Sequence, residues 1–520
     1  MQEKGADLSP KGAADDSVAA GKDVHASAPG VAAPESQRAH LDRRLMHGIA
    51  WSGGVKYLTQ FLSWASALIV ARLLTPSDYG LVAMATVYLG FVTLVSEFGV
   101  GAAVVTLRDL TEEQLEQLNS FSLLLGLASF AVSLVAAYPL AWFFRAPLLP
   151  PVVMTMSVAF ILTAFKAVPG SILERDLRFK EVSVIDGARA IVLAVSTVGF
   201  ALAGFRYWTL VLGGILSSLV SLFLILRLCR KGFRFPRYAS LRNALTFSRH
   251  ILGSRLSWYI YSNSDFAVAG RMLGAVPLGN YTMAWTLANI PLQSVSNLIS
   301  SVTPGFFSAV QKDRAELRRY LLNLTEGLSL VTFPLTTGLA LVAHDFVLAI
   351  LGTKWLPIVP PLQLLAIYAS VRAITPLLSP ILNVTGEARF NMRSGIVSAI
   401  LFPIAFLIGS RWGTVGIAAA WMVAHPIPIL FVYRRTFQKL DLTVGEYCNS
   451  LRAAFTGIVT MSAVVLSMKA VLSSYSLPPA AALALQVAVG GLAYVGSIFL
   501  LHRSRFQALY NRIKSTRSTA

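Results

Sequence analysis

Long apolar runs, separated by short polar segments, fill the chain from Met46 to Leu501. A bilayer core about 30 Å thick needs about 20 apolar residues per helix. Fourteen runs approach or exceed this length, so the pattern predicts an all-α integral membrane protein with about fourteen transmembrane helices. The predicted spans are residues 46–71, 79–105, 118–144, 148–171, 182–204, 207–228, 247–270, 280–305, 321–343, 357–383, 394–410, 414–433, 450–472 and 478–501.

One part of this pattern occurs twice. The stretch ARLLTPSDYGLVAMA begins at Ala71, and GRMLGAVPLGNYTMA begins at Gly270, 199 residues later. Six predicted helices separate the copies, so both cross the membrane in the same direction, as in transporters built from parallel repeats. The repeat predicts two six-helix lobes with a substrate site between them, followed by two additional C-terminal helices.

The domain division follows from the same runs. The first 40 residues show no apolar period and cannot bury enough surface to fold alone, so a disordered tail is expected. The first long run has spanning length, which argues against a cleaved signal peptide. The predicted divisions are a cytoplasmic tail at 1–45, an N-terminal lobe at 46–228, a basic connector at 229–246, a C-terminal lobe at 247–435, two helices at 436–501 and a basic tail at 502–520.

Composition and charge support a membrane protein and orient it. Of all residues 55% are hydrophobic and 13% are charged, and the net charge is +19. Of the 44 Lys and Arg residues, 32 fall in the tails and loops on one side and 7 in those on the other. Because basic residues beside spans mark the cytoplasmic side, both termini are predicted to be cytoplasmic. The connector would then face anionic lipid headgroups, and no nucleic-acid partner is expected.

Four short motifs, taken in order, carry a family resemblance. They are RLLTPSDYGLVAMA after the first span, its weaker copy after the seventh, LERDLRF at 173–179 and GEARF at 386–390. Their order and spacing resemble the polysaccharide-repeat-unit flippases of the Wzx type, in the superfamily of the multidrug and toxin exporters. The resemblance implies alternating-access export of polyprenyl-pyrophosphate-linked oligosaccharide from the bacterial inner membrane for O-antigen, capsule or exopolysaccharide. It also implies a polysaccharide polymerase and a chain-length regulator as partners, and no cofactor.

The repeat offset also connects charged residues inside the spans. A charge at the centre of a membrane helix costs about 2.5–3.5 kcal/mol on insertion scales, so it normally faces a cavity or a partner. Lys56 and Gln60 correspond, at the offset of 199, to Arg255 and Tyr259. Each pair is spaced four residues apart and shares one helical face. The sequence therefore predicts a polar stripe, headed by a cation, in each lobe.

Lys166 and Arg372 form a second pair in corresponding helices. Together with Lys56 and Arg255, they are predicted to bind the pyrophosphate and glycan of the cargo, because cations offset the cost of taking phosphate out of water. In the alternative interpretation, the long stems of Lys56 and Lys166 carry their charges to the headgroups. Snorkelling alone would not explain why Arg255 and Arg372 match the other lobe.

Acidic residues inside the spans are the candidates for ion coupling. Glu97 has no obvious partner within its own helix, whereas Asp265 could pair with Arg255 or bind a proton or Na⁺. Glu326 is the third candidate. Asp186 and Arg189, three residues apart, are predicted to neutralise one another.

Several chemistries lack their sequence signals. There is no GxxxxGK phosphate loop, no HExxH and no paired CxxC, and the two cysteines indicate neither a disulfide framework nor a metal site. The chain is therefore predicted not to be an enzyme. A multidrug exporter of the same fold, a membrane glycan polymerase or ligase, and a scaffold for an export complex are the alternatives.

Overall fold

The computed structural model describes residues 59–501 apart from 108, 310–312, 475 and 476, together with residue 503. All of these belong to the structural unit Ser52–Ala520, and no strand occurs within the described ranges. The α-helices, in chain order, are α1 (59–73), α2 (Pro76–Glu97), α3 (Val100–Thr106), α4 (Glu112–Phe144), α5 (Leu149–Arg175), α6 (Phe179–Leu202), α7 (Trp208–Leu228), α8 (Tyr238–Leu273), α9 (Ala275–Ala309), α10 (Arg314–Phe346), α11 (Val359–Ile374), α12 (Leu378–Val384), α13 (Ala388–Gly409), α14 (Gly413–Ala424), α15 (Pro426–Leu440), α16 (Val444–Leu472) and α17 (Pro479–Leu501). A π-helix at Val347–Leu351 and 3-10 helices at Thr353–Ile358, Thr375–Leu377 and Ser410–Trp412 connect some of them.

Each predicted apolar run contains a described helix, which confirms the all-α class. Within the described residues, ten helical stretches are long and apolar enough to cross a membrane, and the stretch Ala388–Leu440, with 53 residues, is long enough for two crossings. The count of fourteen is not confirmed by this criterion. Helix α8 is not among these stretches, and its sequence from Ser257 to Asp265 is rich in Ser, Tyr and Asn in addition to the charged Asp265.

The start of α8 differs from the prediction. The apolar run predicts a span from residue 247, whereas the helix begins at Tyr238, inside the predicted connector. Its first turns pack on α4: Leu241 and Ala244 are buried, and Gln114 Nε2 donates to the Ser240 carbonyl over 2.9 Å. Tertiary contacts therefore extend this helix through residues whose polarity hides it in the sequence.

The second predicted span is broken near its end. Phe98 and Gly99 have φ angles of 42° and 68°, which separate α2 from α3. A similar interruption at Thr375–Leu377 divides the tenth predicted span, because Pro376 cannot continue the helical hydrogen bonding. The break after Glu97 turns α3 toward α5 and places the end of α2 beside a cavity that is described below.

The TPSD segment of the repeat motif is a helix start. The Thr75 side chain accepts from the Asp78 backbone over 3.3 Å, and Asp78 accepts from the Thr75 backbone over 3.0 Å. This reciprocal capping satisfies amide groups that the first helical turn leaves unpaired. Asp78 is buried and also lies 3.5 Å from Arg206, so the start of α2 is held to the segment between α6 and α7.

The two copies of the repeat pack against each other. A Cβ atom placed on Gly80 would lie 1.8 Å from the Ala275 carbonyl oxygen, and one placed on Gly279 would lie 1.7 Å from the Pro76 carbonyl oxygen. Pro76 and Ala275 occupy the same position of the repeat, as do Gly80 and Gly279. The contact is therefore reciprocal, as expected of two similar halves related by a pseudo-two-fold axis.

Candidate functional site

A cavity of about 550 Å³ lies between α2, α3, α5, α6 and α7, with one contribution from α8. Several charged side chains line it, although the helices that form it are mostly apolar in sequence. Its cationic side chains are Lys166, Arg189 and Arg255, and its carboxylates are Glu97, Glu174 and Asp186. We refer to this space as the charged cavity.

Arg255 and Glu97 meet at the edge of the charged cavity. The Arg255 Nη1 and Glu97 Oε2 atoms are 3.8 Å apart, and both side chains are about half exposed. This distance is long for a charge-assisted hydrogen bond, which normally spans about 2.7–2.9 Å. Arg255 therefore keeps donor capacity for another acceptor, and Glu97 is paired across helices rather than within its own.

Lys166 and Arg189 come to the charged cavity from α5 and α6. The structure describes no ion pair for either side chain. Asp186 also lines the cavity but forms no ion pair with Arg189, so the neutralisation predicted from their spacing is wrong. The sequence therefore did not indicate Arg189 as a site residue. Its spacing of three residues from Asp186 predicts a pair within one helix, and the two side chains do not form that pair.

Tyr259 and Gln60 lie outside the lining of the charged cavity. The Tyr259 hydroxyl donates to the Val87 carbonyl over 2.8 Å, and its ring packs on Gly90, so this residue holds α8 against α2. Gln60, which lies in α1, is half-buried. Lys56, the predicted head of the same stripe, lies outside the described residues.

Arg372 lies in a different environment from Lys166 and Arg255. Its Nη1 donates to Asn289 Oδ1 over 3.0 Å, and its guanidinium lies 4.9 Å from the centre of the Trp285 ring. It does not line the charged cavity. Of the three predicted cations that the structure describes, Lys166 and Arg255 thus line one cavity, whereas Arg372 lies on an aromatic surface of the second repeat.

Asp265 is buried among neutral donors. Its side chain is 0% exposed and accepts from Tyr281 Oη over 2.7 Å, from Trp421 Nε1 over 3.1 Å and from the Phe266 amide over 2.9 Å. The alternative in which Asp265 pairs with Arg255 is wrong, because Arg255 pairs with Glu97. A buried carboxylate without a cationic partner is costly when ionised, so the site favours a proton or a bound cation.

Glu326, the third ion-coupling candidate, is half-buried on α10 and does not line the charged cavity. Within the described ranges, no group of three or more His, Cys, Asp or Glu side chains is arranged to hold a metal ion.

A second, apolar cavity of about 730 Å³ lies between α9, α10, the π-helix, α16 and α17. It is lined by aliphatic and small residues, among them Pro334, Gly338, Gly490 and Gly491. We refer to it as the apolar groove. Nothing in the sequence indicates this groove, because its two sides come from chain segments more than 100 residues apart whose apolar faces look alike in sequence.

The described fold and sites define a class of protein. Ten candidate spans, two repeats in reciprocal contact and a charged cavity within the bundle are the features of a membrane transporter built from parallel repeats.

The family described as "Polysaccharide biosynthesis protein" matches residues 69–360, more than half of the chain, and the chain belongs to this family. It is 24% identical over 401 residues to the lipopolysaccharide biosynthesis protein WzxC of Escherichia coli (strain K12), a match that covers 76% of this chain and 81% of that protein. It is 25% identical over 491 residues to the succinoglycan biosynthesis transport protein ExoT of Rhizobium meliloti (strain 1021), covering 92% of this chain and 97% of ExoT.

Solved structures show the same fold. The lipid II flippase MurJ in an inward closed conformation superposes with a TM-score of 0.73 at 14% identity, covering 88% of this chain and all of MurJ. An inward-facing multidrug transporter of the MATE family gives a TM-score of 0.59 at 17% identity, covering 74% and 96% of the two chains. These structures confirm the predicted fold. The family match and the named biosynthesis and transport relatives confirm the predicted polysaccharide-exporter family.

Proposed function

We propose that this chain flips polyprenyl-pyrophosphate-linked oligosaccharide repeat units from the cytoplasmic to the periplasmic leaflet of the bacterial inner membrane. The cargo would supply the synthesis of O-antigen, capsule or exopolysaccharide. Membership of the polysaccharide biosynthesis family and similarity to named biosynthesis and transport proteins support this function. The observation that carries it is the charged cavity, which gathers Lys166, Arg189 and Arg255 between the spans.

The three cations suit an anionic pyrophosphate. Arg binds phosphate oxygens through two parallel hydrogen bonds, and Lys contributes a compact point charge. In a space of low dielectric constant, these interactions are stronger than in water and offset the lost hydration of the phosphates. The three carboxylates of the cavity keep it near neutrality while it is empty, so the cations need not be buried without compensation.

The loose contact between Arg255 and Glu97 offers a way to couple cargo to an ion. A pyrophosphate that binds Arg255 would compete with Glu97, since the two groups now stand 3.8 Å apart. Glu97, once released, would be free to bind a proton or Na⁺. Because linkage is reciprocal, ion binding at Glu97 would in turn strengthen the hold of Arg255 on the cargo.

Asp265 is the second candidate for ion coupling in this proposal. It lies among neutral donors of the second repeat, away from the charged cavity. Glu326 stays a weaker candidate, and Lys56, Gln60 and Arg372 stay proposed contacts for the cargo. In this proposal Tyr259 stabilises the packing of α8 against α2 through its hydrogen bond to the Val87 carbonyl.

The position of the charged cavity agrees with uptake from the cytoplasmic leaflet. We place both termini in the cytoplasm because of the asymmetry of Lys and Arg in the loops. Glu97 then lies at the cytoplasmic end of α2, and the Gly80 contact lies at the other end, about 25 Å away at 1.5 Å per residue. In this orientation the two copies of the repeat motif touch on the periplasmic side, while the charged cavity lies toward the cytoplasm.

The apolar groove supports a lipid-linked cargo. A polyprenyl chain is insoluble in water and gains free energy on apolar surfaces. The groove provides such a surface between the second repeat and α16 and α17. The predicted lobes at 46–228 and 247–435 and the extra helices at 436–501 stay part of the proposal, as do a polymerase and a chain-length regulator as partners.

Transport of a radiolabelled polyprenyl-pyrophosphate oligosaccharide into proteoliposomes tests the function. We expect Lys166→Gln and Arg255→Gln each to lower the transport rate about tenfold or more, since a charged hydrogen bond contributes about 1.5–3 kcal/mol. Arg389→Gln, which removes an exposed arginine of α13, is the matched control and should transport normally. Normal transport by both cavity variants would refute the pyrophosphate site.

Two further measurements separate the alternatives. Drug efflux without any transport of the lipid-linked oligosaccharide would identify a multidrug exporter of the same fold. Glu97→Gln should remove the dependence of transport on a proton or sodium gradient, and an unchanged dependence would exclude Glu97 as the coupling residue. Little change in stability is expected, because a half-exposed ion pair contributes about 1 kcal/mol or less.

A further inference from the structure

The chain between α7 and α8 is folded back on α4. Lys231 forms an ion pair with Glu112, and Asn119 Nδ2 donates to the carbonyl of Gly232 over 3.2 Å. The Arg237 amide donates to Gln117 Oε1 over 3.3 Å. These contacts hold residues 231–237 in place.

A cavity of about 550 Å³ lies beneath this segment, and we refer to it as the lateral pocket. It shares no lining residue with the charged cavity. Helix α5 separates the two spaces, with Phe165 facing the lateral pocket and the adjacent Lys166 facing the charged cavity. The lining residues of the lateral pocket are Asn119, Phe165, Phe223, Leu226, Arg227, Arg230, Lys231 and Phe233.

Two of the three cations that line the lateral pocket have no ion pair with the described residues of the protein. Lys231 pairs with Glu112, but the described residues provide no ion pair for Arg227 or Arg230. Arg230 Nε donates only to the Leu226 carbonyl, over 3.1 Å. Two guanidinium groups at the end of a membrane span therefore have unused capacity for an anion.

The lateral pocket has an accessible aromatic lining. Phe165 and Phe233 meet edge to face with ring centres 6.0 Å apart, and Phe223 and Phe233 are 62% and 53% exposed. Phe223 lies one turn of α7 before Arg227, so an exposed aromatic surface adjoins the guanidinium groups at the end of the span, as a lipid phosphate and its acyl chains require.

Asn119 adds an independent observation. Its side chain is 1% exposed, and its amide nitrogen donates to the backbone of the connector, yet its Oδ1 atom has no hydrogen-bond partner. A buried acceptor without a donor costs about 1–3 kcal/mol. A hydroxyl group in the lateral pocket would satisfy this atom.

We infer that the lateral pocket binds an anionic glycerophospholipid with a hydroxyl-bearing headgroup, of the phosphatidylglycerol type. The phosphate would lie between Arg227 and Arg230, the acyl chains would lie on Phe223 and Phe233, and a glycerol hydroxyl would donate to Asn119 Oδ1. The bound lipid would hold the connector to α7 on the outside of the first repeat. This site does not depend on the transported cargo, because α5 separates it from the charged cavity.

Lipid titrations of the full-length protein, solubilised in a neutral detergent and followed by native mass spectrometry, test this site. The probes are phosphatidylglycerol and phosphatidylcholine with identical acyl chains. We expect tighter binding of phosphatidylglycerol, and a loss of about tenfold in its affinity in the double variant Arg227→Gln, Arg230→Gln. The variant with both arginines changed to lysine should keep most of the preference, because the charge is retained.

The control is the double variant Arg389→Gln, Arg393→Gln, which removes two exposed arginines of α13 and lowers the net charge equally. It should bind phosphatidylglycerol as the native protein does. Equal affinities for the two lipids, or an equal loss in the control, would overturn the proposal. A polyprenyl pyrophosphate that displaces phosphatidylglycerol from the native protein, but fails to bind the Arg227→Gln, Arg230→Gln variant, would assign the pocket to the cargo instead.

Discussion

Gly80 of α2 contacts the first turn of α9, and Gly279 of α9 contacts the first turn of α2. A Cβ atom on either residue would approach a backbone carbonyl oxygen of the opposite copy to within 1.8 Å. Met84, four residues after Gly80, is also buried in the core that both copies share. No side chain could enter this contact without separating α2 from α9.

The first prediction is that Gly80→Ala and Gly279→Ala push these helices apart. Because the obstructing atoms are backbone, overpacking should destabilise the protein by about 1–3 kcal/mol. Thermal unfolding in detergent measures the effect. Gly214→Ala is the control, since a Cβ atom there meets nothing within 4 Å, and its Tm should not fall. Unchanged Tm values for both contact variants would contradict the reciprocal packing.

The second prediction concerns the buried carboxylate of Asp265. Asp265→Asn should fold but transport cargo without dependence on a proton or sodium gradient, because an amide takes up no proton and lacks the negative charge that would hold Na⁺. The change replaces one carboxylate oxygen by an NH2 group, which then faces a donor, either the Phe266 amide or the Trp421 indole. A loss of about 1–3 kcal/mol in stability is therefore expected. Transport under imposed gradients is the measurement.

Tyr281→Phe is the control for Asp265. It removes a 2.7 Å hydrogen bond but leaves the carboxylate, so it should reduce stability while the gradient dependence is retained. Gradient dependence that survives in Asp265→Asn would exclude this carboxylate from coupling.

The third prediction tests the apolar groove. Gly491→Leu should fill part of it, because Gly491 lines the groove and a Cβ atom there meets nothing within 4 Å. Transport of a cargo with a long polyprenyl chain should fall severalfold, while a short-chain analogue is less affected. Gly496→Leu is the control, because Gly496 is also on α17 and also has room for a Cβ atom but does not line the groove. It should leave the transport of the long-chain cargo and of the short-chain analogue unchanged. Equal effects on long and short chains would argue against a lipid path.

The fourth prediction is a pH dependence at Glu387, in the segment before α13. Its carboxylate lies 2.8 Å from Lys439 and 2.7 Å from Arg435, and these hydrogen bonds hold the pKa of Glu387 below its ordinary value. A carboxyl whose folded-state pKa is depressed stabilises the protein above its unfolded-state pKa and loses this effect as the pH falls through the folded-state pKa. Native protein should therefore have a higher Tm than Glu387→Gln at neutral pH, and the difference should vanish in acid.

Asp176→Asn is the matched control for Glu387. Asp176 lies in the corresponding segment of the first repeat, is exposed and forms no ion pair among the described residues. The Tm of the Asp176→Asn variant should equal that of the native protein at every pH. A Tm difference for Glu387→Gln that persists at low pH would contradict the contribution of the ionised carboxylate.

The apolar pattern predicts most of the helices because each span must bury its own backbone hydrogen bonds in lipid, which ties apolar length to helix length. The pattern misses the start of α8, since tertiary packing on α4 stabilises residues from Tyr238 onward that are polar in sequence. It also misses the break at Phe98 and Gly99, because an apolar run does not record a left-handed backbone.

The site could be predicted only in part. A charge within a span is visible in the sequence, so Lys166, Arg255 and Glu97 were identified, and the structure brings all three to one cavity. Which charged side chains share a cavity depends on how each helix is rotated about its axis. In the folded protein Arg189 lines the same cavity as Lys166, Arg255 and Glu97, whereas Arg372 lies on Trp285.

The sequence by itself determined that the chain is an all-α membrane protein with a repeated half, since composition, apolar length and the offset of 199 residues are properties of the linear chain. Only the tertiary structure decided that Arg255 pairs with Glu97, that Asp265 is held by Tyr281 and Trp421, and that the lateral pocket exists. The physical reason is that helical periodicity specifies the face of a side chain on its own helix, whereas its partner depends on how separate helices pack.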